Sequence, residues 1–496
     1  EEKIMKTIIK TALILCVGIC VSCVDLYQEP KSVLTPETIE YNERNMEALV
    51  TGLPKVLWSN NYGFNCRLQS LTLGGDDVVA GQIGSTRTFD IDELHVKSGT
   101  DVSNFFSNMY SLIQYCNQII DGVSKSTDTS EEIKRPYEAE AHFYRALAYF
   151  YLVRFFGDVP AITDPYTQTD IFGKSPIMRN KTIDVYEQLI IPDLQFAEKY
   201  LSDRGRLDNN STPSIGAAKA CLADVYLTMA GWPLKKTEMY AQAAAKAKEI
   251  IEKTGHKYSL VPDYSELWKE ANKADDTEHI FAINHSATYD MASQYGISYL
   301  CTEEGGWTDY LADSVFFERY PEDKRKEFNF ITSIKVGIVK RPWKKLEMRC
   351  PPINKYRDYG ITSAQSNGIT PIYRYAEVLL IYAEAQNRAD HGPNDLAYQC
   401  LNDVRKRANG GVANDAPAGL NEEDFNQYVF DERGWELFAE CKRWFQLVRT
   451  ERVEEYNKLN PRIWDMGFVE NQQRNYILPL PSSQVEMCGW EQNPGY

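Results

Sequence analysis

The feature that most constrains the fold of this 496-residue chain is helical periodicity in its apolar residues. Within residues 137–154, apolar side chains recur at the spacing of one helix face: Ala139, Phe143, Ala146, Leu147 and Phe150. This spacing predicts an amphipathic helix, and the Gly157-Asp158-Val159-Pro160 turn predicts its end.

A pair of helices is predicted over residues 213–253. The first carries a stripe of Ala218, Leu222, Val225 and Met229, and the second, at 237–253, is rich in alanine. Small residues on facing sides let two antiparallel helices approach closely, as in a tetratricopeptide-like hairpin. Further helices are predicted near 40–57, 102–124, 182–201, 372–389, 393–408 and 424–448.

The stretch 256–370 has a different character, because glycine and proline interrupt it repeatedly. Its aromatic residues follow no helical or alternating period, so they are the ones least easily explained as core: Trp307, Tyr310, Trp343, Tyr356 and Tyr359. We therefore expect a mainly α fold built of tetratricopeptide-like helix pairs. Its helical parts would span 40–255 and 371–496, with a loop-rich lobe at 256–370 inserted between them.

The N-terminal segment 1–22 has the pattern of an export signal. Lys6 and Lys10 precede an apolar run from Ala12 to Val21 that is too short to span a bilayer. Ser22 directly before Cys23 resembles a bacterial lipobox, which predicts lipidation of Cys23 and a linker at 23–39. An ordinary secretory signal is the alternative. No later stretch reaches the ~18 apolar residues of a membrane-spanning helix, so attachment would rest on lipid alone.

Composition and motifs exclude several classes of function. The formal net charge of -16 disfavours binding to nucleic acid or to anionic lipid. The eight cysteines after Cys23 form no C-x-x-C pair, so we interpret them mostly as small buried apolar residues and predict no metal site. No catalytic motif is present, and we predict a protein that is not an enzyme. A catalytic carboxylate pair stays open, because such pairs follow no sequence spacing.

Several segments, in order along the chain, resemble the SusD/RagB family. They are Cys23-Val24-Asp25-Leu26 with Pro30, then 139–160, 258–268, 374–389 with 401–408, 432–449 and 477–496. The resemblance implies a SusD-like fold and a lipoprotein at the outer-membrane surface of a Bacteroidetes-type bacterium. It also implies a SusC-like TonB-dependent barrel as partner, on which the protein acts as a lid while delivering a captured oligosaccharide. Oligopeptide capture by the same fold is the alternative, and the sequence leaves open whether calcium assists.

Three places combine aromatic faces with polar groups suited to sugar hydroxyls. The first contains Trp58, Tyr62, Asp76 and Asp77, for which turn or capping aspartates are the alternative. The second is the Gly-Gly-containing segment 301–310, with Trp307 as the main stacking candidate beside Tyr310 and Cys301, for which a structural turn with a buried Trp307 ring is the alternative. The third is Arg374, whose guanidinium could clamp neighbouring hydroxyls or pair internally with Glu377 or another acid.

Overall fold

The computed structural model describes residues 39–58, 68–81, 94, 96, 99–127, 129–165, 177–253, 256–289, 291–357, 366–459 and 475–496. Residues 42–496 form one compact unit, and residues 1–41 form a separate one. The predicted signal, Cys23, Tyr62 and Tyr359 lie outside the described residues. Within the described part, no helix combines the length and apolar character needed to cross a membrane.

Paired helices form the N-terminal part. They are α1 (Glu43–Trp58), α2 (Thr100–Lys125), α3 (Glu131–Phe156), α4 (Thr182–Val185), α5 (Ile191–Tyr200), α6 (Ile215–Ala230) and α7 (Met239–Ile251), with a π-helical turn at Tyr186–Ile190 between α4 and α5. Helix α3 packs against α2 and α5, and α6 packs against α7. The Ser214 side chain caps α6 by accepting a hydrogen bond from the Ala217 N–H, and Gly157 follows the end of α3 as predicted.

The inserted lobe contains short paired strands as well as loops. Its elements are β2 (His279–His285), α8 (Tyr295–Ser298), β3 (Tyr310–Ala312), α9 (Ser314–Arg319), α10 (Lys324–Asn329), β4 (Ser333–Val336), β5 (Val339–Pro342) and β6 (Gly368–Arg374). Strand β3 pairs antiparallel with β1 (Val78–Ala80), β2 with β6, and β4 with β5. The β1–β3 ladder therefore joins the lobe to the N-terminal part.

Three of the lobe's aromatic residues are core, contrary to the prediction from their irregular spacing. Tyr310, Trp343 and Tyr356 are buried. Tyr356 stacks on Tyr295 with ring centroids 4.1 Å apart, and Trp343 packs edge-on against Phe317 at 5.5 Å. Irregular loops can bury aromatic rings wherever several short elements converge, so the absence of a period did not imply exposure.

The C-terminal part consists of α11 (Tyr375–Ala389), α12 (Asp395–Ala408), α13 (Glu422–Glu436), α14 (Arg443–Arg449), α15 (Val453–Asn457) and α16 (Ser482–Cys488). Helix α11 packs against α7, α12 and α13, which continues the succession of helix pairs. The mainly α fold with tetratricopeptide-like pairs is thus confirmed. The single helix predicted at 424–448 is wrong, because the chain breaks between α13 and α14, where Ala439 and Cys441 have positive φ.

Candidate functional site

A cavity of about 250 Å³ opens where the 301–308 turn meets the segment 346–350. Its lining mixes hydroxyl and carboxylate groups with apolar side chains: Gly81, Cys301, Thr302, Glu303, Thr308, Leu311, Leu346, Glu347, Met348 and Cys350. Small-molecule sites commonly have such a lining, in which apolar walls enclose a few polar groups that fix orientation. The cavity is therefore our candidate binding site.

Main-chain hydrogen bonds fix the turn that forms one wall. The Gly306 N–H donates to the Cys301 carbonyl at 2.9 Å, and the Thr302 N–H donates to the Thr308 hydroxyl at 2.6 Å. Glycine is needed at 306, because a Cβ there would overlap the backbone carbonyl of Leu300. A pre-formed turn loses little entropy on binding, so it can hold a ligand at low cost.

One salt bridge and one backbone hydrogen bond support the same wall. The Glu304 carboxylate accepts two hydrogen bonds from the Arg357 guanidinium, at 2.9 and 2.8 Å, and the Glu303 carboxylate accepts one from the Glu347 N–H at 3.2 Å. Burial raises the pKa of the Cys301 thiol to about 12, so this group stays protonated and contributes as a small apolar surface.

Trp307 lies on this turn, directly before Thr308, and is only partly buried. Its N–H group on the main chain donates to the Ile297 carbonyl at 2.9 Å, which ties the residue to helix α8. Trp307 is not among the residues that line the cavity, but its partly exposed indole offers a flat apolar face on the turn that carries four of the lining residues. That arrangement suits a ring-shaped ligand with one apolar face and polar edges.

Two regions of the chain match known protein families. Residues 345–496 match the SusD family, and residues 36–227 match a family described as starch-binding, associating with the outer membrane. Together these matches show that the chain resembles the SusD/RagB family. A SusD-like protein P2 of Formosa agariphila is 28% identical, over 96% of this chain and 97% of that protein.

Solved structures of SusD-family proteins have the same fold. A SusD superfamily protein from Parabacteroides distasonis is 27% identical with a TM-score of 0.78, covering 94% of this chain and 100% of that one. A structure described as a laminarin-binding SusD-like protein is 24% identical with a TM-score of 0.76, covering 92% of this chain and 100% of that one. Because the laminarin-binding protein is only 24% identical, its similarity to this chain shows a shared fold alone.

The acidic pair predicted for the ligand face lies in the interior of the protein. Asp76 accepts hydrogen bonds from Arg443 and Arg319, each at 2.6 Å. Asp77 accepts one from the Ala439 N–H at 3.1 Å, in the break between α13 and α14. Both aspartates are buried with internal partners, which supports the structural alternative for them.

Three other predicted binding residues are also buried. The Trp58 ring packs 4.0 Å from the ring of His285, and the Tyr310 hydroxyl lies 2.7 Å from that of Ser70. Arg374 is 1% exposed and donates hydrogen bonds to Glu278, Glu436 and Glu440. Its assignment as a clamp for sugar hydroxyls is corrected, because its guanidinium is paired with these three acids. The suggested partner Glu377 is not one of them.

The segment 346–350 is the part of the candidate site that sequence reasoning missed. Leu346, Glu347 and Met348 line the cavity, although they carry no motif and lie more than 35 residues after Trp307. The weak signal available was their position within the loop-rich lobe. Of the predicted residues, Cys301 lines the cavity and Trp307 lies on its turn, so the second of the three predicted places stays a prediction.

A second cavity, of about 450 Å³, lies among the C-terminal helices and is a less attractive ligand site. The charged side chains that line it form internal ion pairs, such as Arg449 with Glu384 and Arg452 with Glu455. Their charges are already compensated within the protein. Among the described residues, no group of three or more His, Cys, Asp and Glu side chains is placed to hold a metal ion.

Proposed function

We propose that this protein is a cell-surface lipoprotein that captures an oligosaccharide and delivers it to a SusC-like TonB-dependent transporter, on which it acts as a lid. The main support is the fixed 301–308 turn, which carries the partly exposed Trp307 and lines a cavity that mixes polar and apolar groups. Sugars have one apolar ring face and polar edges, so an aromatic surface beside hydroxyl and carboxylate groups fits them. The match of residues 36–227 to a family described as starch-binding supports the same ligand class.

The role is binding without catalysis, and it requires no cofactor. Affinity would come from stacking and enclosure, since each hydroxyl contact replaces a hydrogen bond to water and adds only ~1 kcal/mol. Lipid on Cys23 would hold the protein at the outer membrane. Co-purification of a TonB-dependent barrel with the protein from solubilised outer membranes tests the partnership, and replacing Cys23 with serine should release the protein from the membrane.

Calorimetry with the purified protein tests the ligand class. The panel contains laminarihexaose, maltohexaose, acidic oligosaccharides and a mixture of peptides, each with and without a chelator. We expect one oligosaccharide to bind, with or without the chelator. In Trp307→Ala its affinity should fall at least about tenfold, as expected for the loss of roughly 1.4 kcal/mol from a central aromatic contact.

The matched control is Tyr115→Ala, which removes an exposed aromatic side chain from α2 in the helical body. Its affinity for the sugar should equal that of the parent, and both variants should keep the parent's unfolding temperature. Unchanged affinity in Trp307→Ala would remove the proposed stacking surface. Binding of peptides with no binding of any sugar would replace the proposed ligand class.

A further inference from the structure

The β4–β5 hairpin and the turn after it form a strongly basic surface on an acidic protein. Between residues 333 and 349 all six basic side chains are exposed and there is one acidic residue, Glu347. The six are Lys335, Lys340, Arg341, Lys344, Lys345 and Arg349. We call them the basic hairpin cluster. The chain as a whole has a formal net charge of -16, so this segment has the opposite charge to the protein overall.

The strand register places two of these charges directly against each other. Lys335 pairs with Lys340 across the hairpin. Like charges opposite one another on neighbouring strands are destabilising, so this pair lowers the stability of a hairpin that has only two strands. An anion bound at the pair would offset the repulsion. Among the described residues, the cluster forms one ion pair, between the Lys344 ammonium and the Glu318 carboxylate at 2.9 Å.

A shallow hollow adjoins the cluster and extends its positive surface. It encloses about 460 Å³ between α9 and the segment after β5, and its lining includes Lys344, Arg349 and the buried Trp343. Glu318 is the acidic residue of its lining, and the guanidinium of Arg319, which also lines it, is paired with Asp76. The hollow therefore offers mainly the cations of Lys344 and Arg349, which suit a sugar that bears acidic substituents.

One apolar cluster connects the hairpin to the candidate binding site. Ile334 of β4 and Trp343 pack with Cys301, Leu311 and Leu346, which line the cavity of the candidate site. The same apolar cluster therefore supports both the wall of the cavity and the basic hairpin cluster. A chain of several sugar rings bound at the cavity could extend toward the cluster.

We propose that the basic hairpin cluster binds carboxylate or sulfate groups of an acidic polysaccharide, so that the glycan captured by this protein is a polyanion. This inference rests on the proposed function and names its ligand class. The overall negative charge does not prevent such binding, because at physiological ionic strength charges are screened over about 8 Å and the nearby cations dominate. An anionic lipid surface is the competing ligand, and the tip residue Ile338, 96% exposed, makes it a necessary arm of the test.

The experiment measures binding of the purified protein to oligogalacturonate, to a sulfated galactan fragment and to neutral laminarihexaose. We expect an acidic glycan to bind at 50 mM salt and to lose affinity at least about tenfold at 500 mM salt, because contacts between exposed charges are screened. The double variant Lys335→Glu/Lys340→Glu should lower its affinity at least about tenfold, since reversing two charges near an anion costs roughly 1 kcal/mol or more for each. It should also keep the parent's unfolding temperature, because it exchanges one cross-strand like-charge pair for another at the same position.

The control is Lys125→Glu/Lys248→Glu, which makes the same change in net charge at exposed lysines on α2 and α7. It should bind the acidic glycan almost as the parent does. Equal losses in the two double variants would overturn the inference, because net charge alone would then explain the effect. So would binding of laminarihexaose with no acidic glycan bound, which would leave the proposed function intact.

Two further outcomes separate the remaining possibilities. Binding to vesicles that contain phosphatidylglycerol, abolished in Lys335→Glu/Lys340→Glu while glycan binding is unchanged, would overturn the glycan assignment in favour of a lipid surface. Absence of binding to every sugar tested would overturn the proposed function together with this inference.

Discussion

Asp76 and Asp77 are adjacent and both buried, yet their surroundings shift their acidity in opposite directions. For Asp76, burial favours the neutral acid, but the guanidinium groups of Arg443 and Arg319 outweigh it and lower the pKa. For Asp77, burial, together with the negative charge of Asp76, raises the pKa to about 6. Two side chains that look alike in the sequence therefore contribute to stability with opposite pH dependence.

We predict that Asp77→Asn stabilises the protein near neutral pH. The folded-state pKa of about 6 exceeds the ordinary value of 3.8, so the folded state binds more protons between these values and stability falls as pH rises through that window. Asparagine keeps an oxygen for the Ala439 N–H but cannot ionise. Urea unfolding should show a gain of up to about 3 kcal/mol at pH 7 that disappears near pH 4.

Asp76→Asn is the matched control and should behave in the opposite way. It removes the charge that compensates buried Arg443, so it should destabilise the protein by about 3–5 kcal/mol at pH 7. Because the pKa of Asp76 is lowered, the stability that it contributes is present above about pH 4 and is lost at lower pH. A difference between Asp77→Asn and the parent that stays constant with pH would contradict the assignment for Asp77.

At the scale of an element, the 301–308 turn predicts different effects for two neighbouring glycines. Gly306→Ala should cost about 3 kcal/mol, because its Cβ would overlap the Leu300 backbone. Gly305 has φ +89°, but its Cβ would meet open space, so Gly305→Ala should cost only about 1 kcal/mol of conformational strain. Chemical denaturation measures both, and equal losses would show that Leu300 moves aside. Gly306→Ala should also weaken sugar binding, since it displaces the turn that carries Trp307.

Helix periodicity predicted the elements well, and its failure at 424–448 has a long-range cause. Residues 437–442 turn out of the helix to present backbone groups to other parts of the chain. The Phe438 carbonyl accepts a hydrogen bond from the Lys355 ammonium at 2.6 Å, and the Ala439 carbonyl accepts one from the Tyr356 hydroxyl at 2.6 Å. These partners lie more than 80 residues away, so an apolar pattern read along one segment cannot reveal them.

At the scale of the whole molecule, the sequence predicted the succession of helix pairs but could not assemble the candidate site. Trp307 was recognisable because it follows two glycines. Leu346 and Met348 reach the same cavity through the packing of short strands, which leaves no periodic signal. The net charge likewise could not predict the basic hairpin cluster, because a sum over the whole chain does not show that Lys335 lies opposite Lys340.

A buried charge network joins the inserted lobe to the C-terminal helices. Arg374, at the end of β6, donates hydrogen bonds to Glu278 beside β2 at 2.6 Å, to Glu436 at the end of α13 at 2.9 Å, and to Glu440 at 2.8 and 2.7 Å. Burial alone would raise the pKa of Glu436, but Arg407, Arg374 and Arg325 together lower it to about 2. The stability from this carboxylate is therefore complete above its ordinary value of 4.5 and is lost as pH falls toward 2.

We therefore predict that Arg374→Met destabilises the protein by about 3–5 kcal/mol at pH 7, because it leaves buried carboxylates with too little positive charge. The pKa of Glu436 should rise, so acid unfolding should begin at a higher pH than in the parent. Arg388→Met is the control: its partners are the exposed Glu423 and the partly exposed Glu422, and loss of pairs near the surface should cost only about 1 kcal/mol or less. Equal destabilisation by the two substitutions would mean that the network adds no more than a surface ion pair, and that other contacts hold the lobe to the helices.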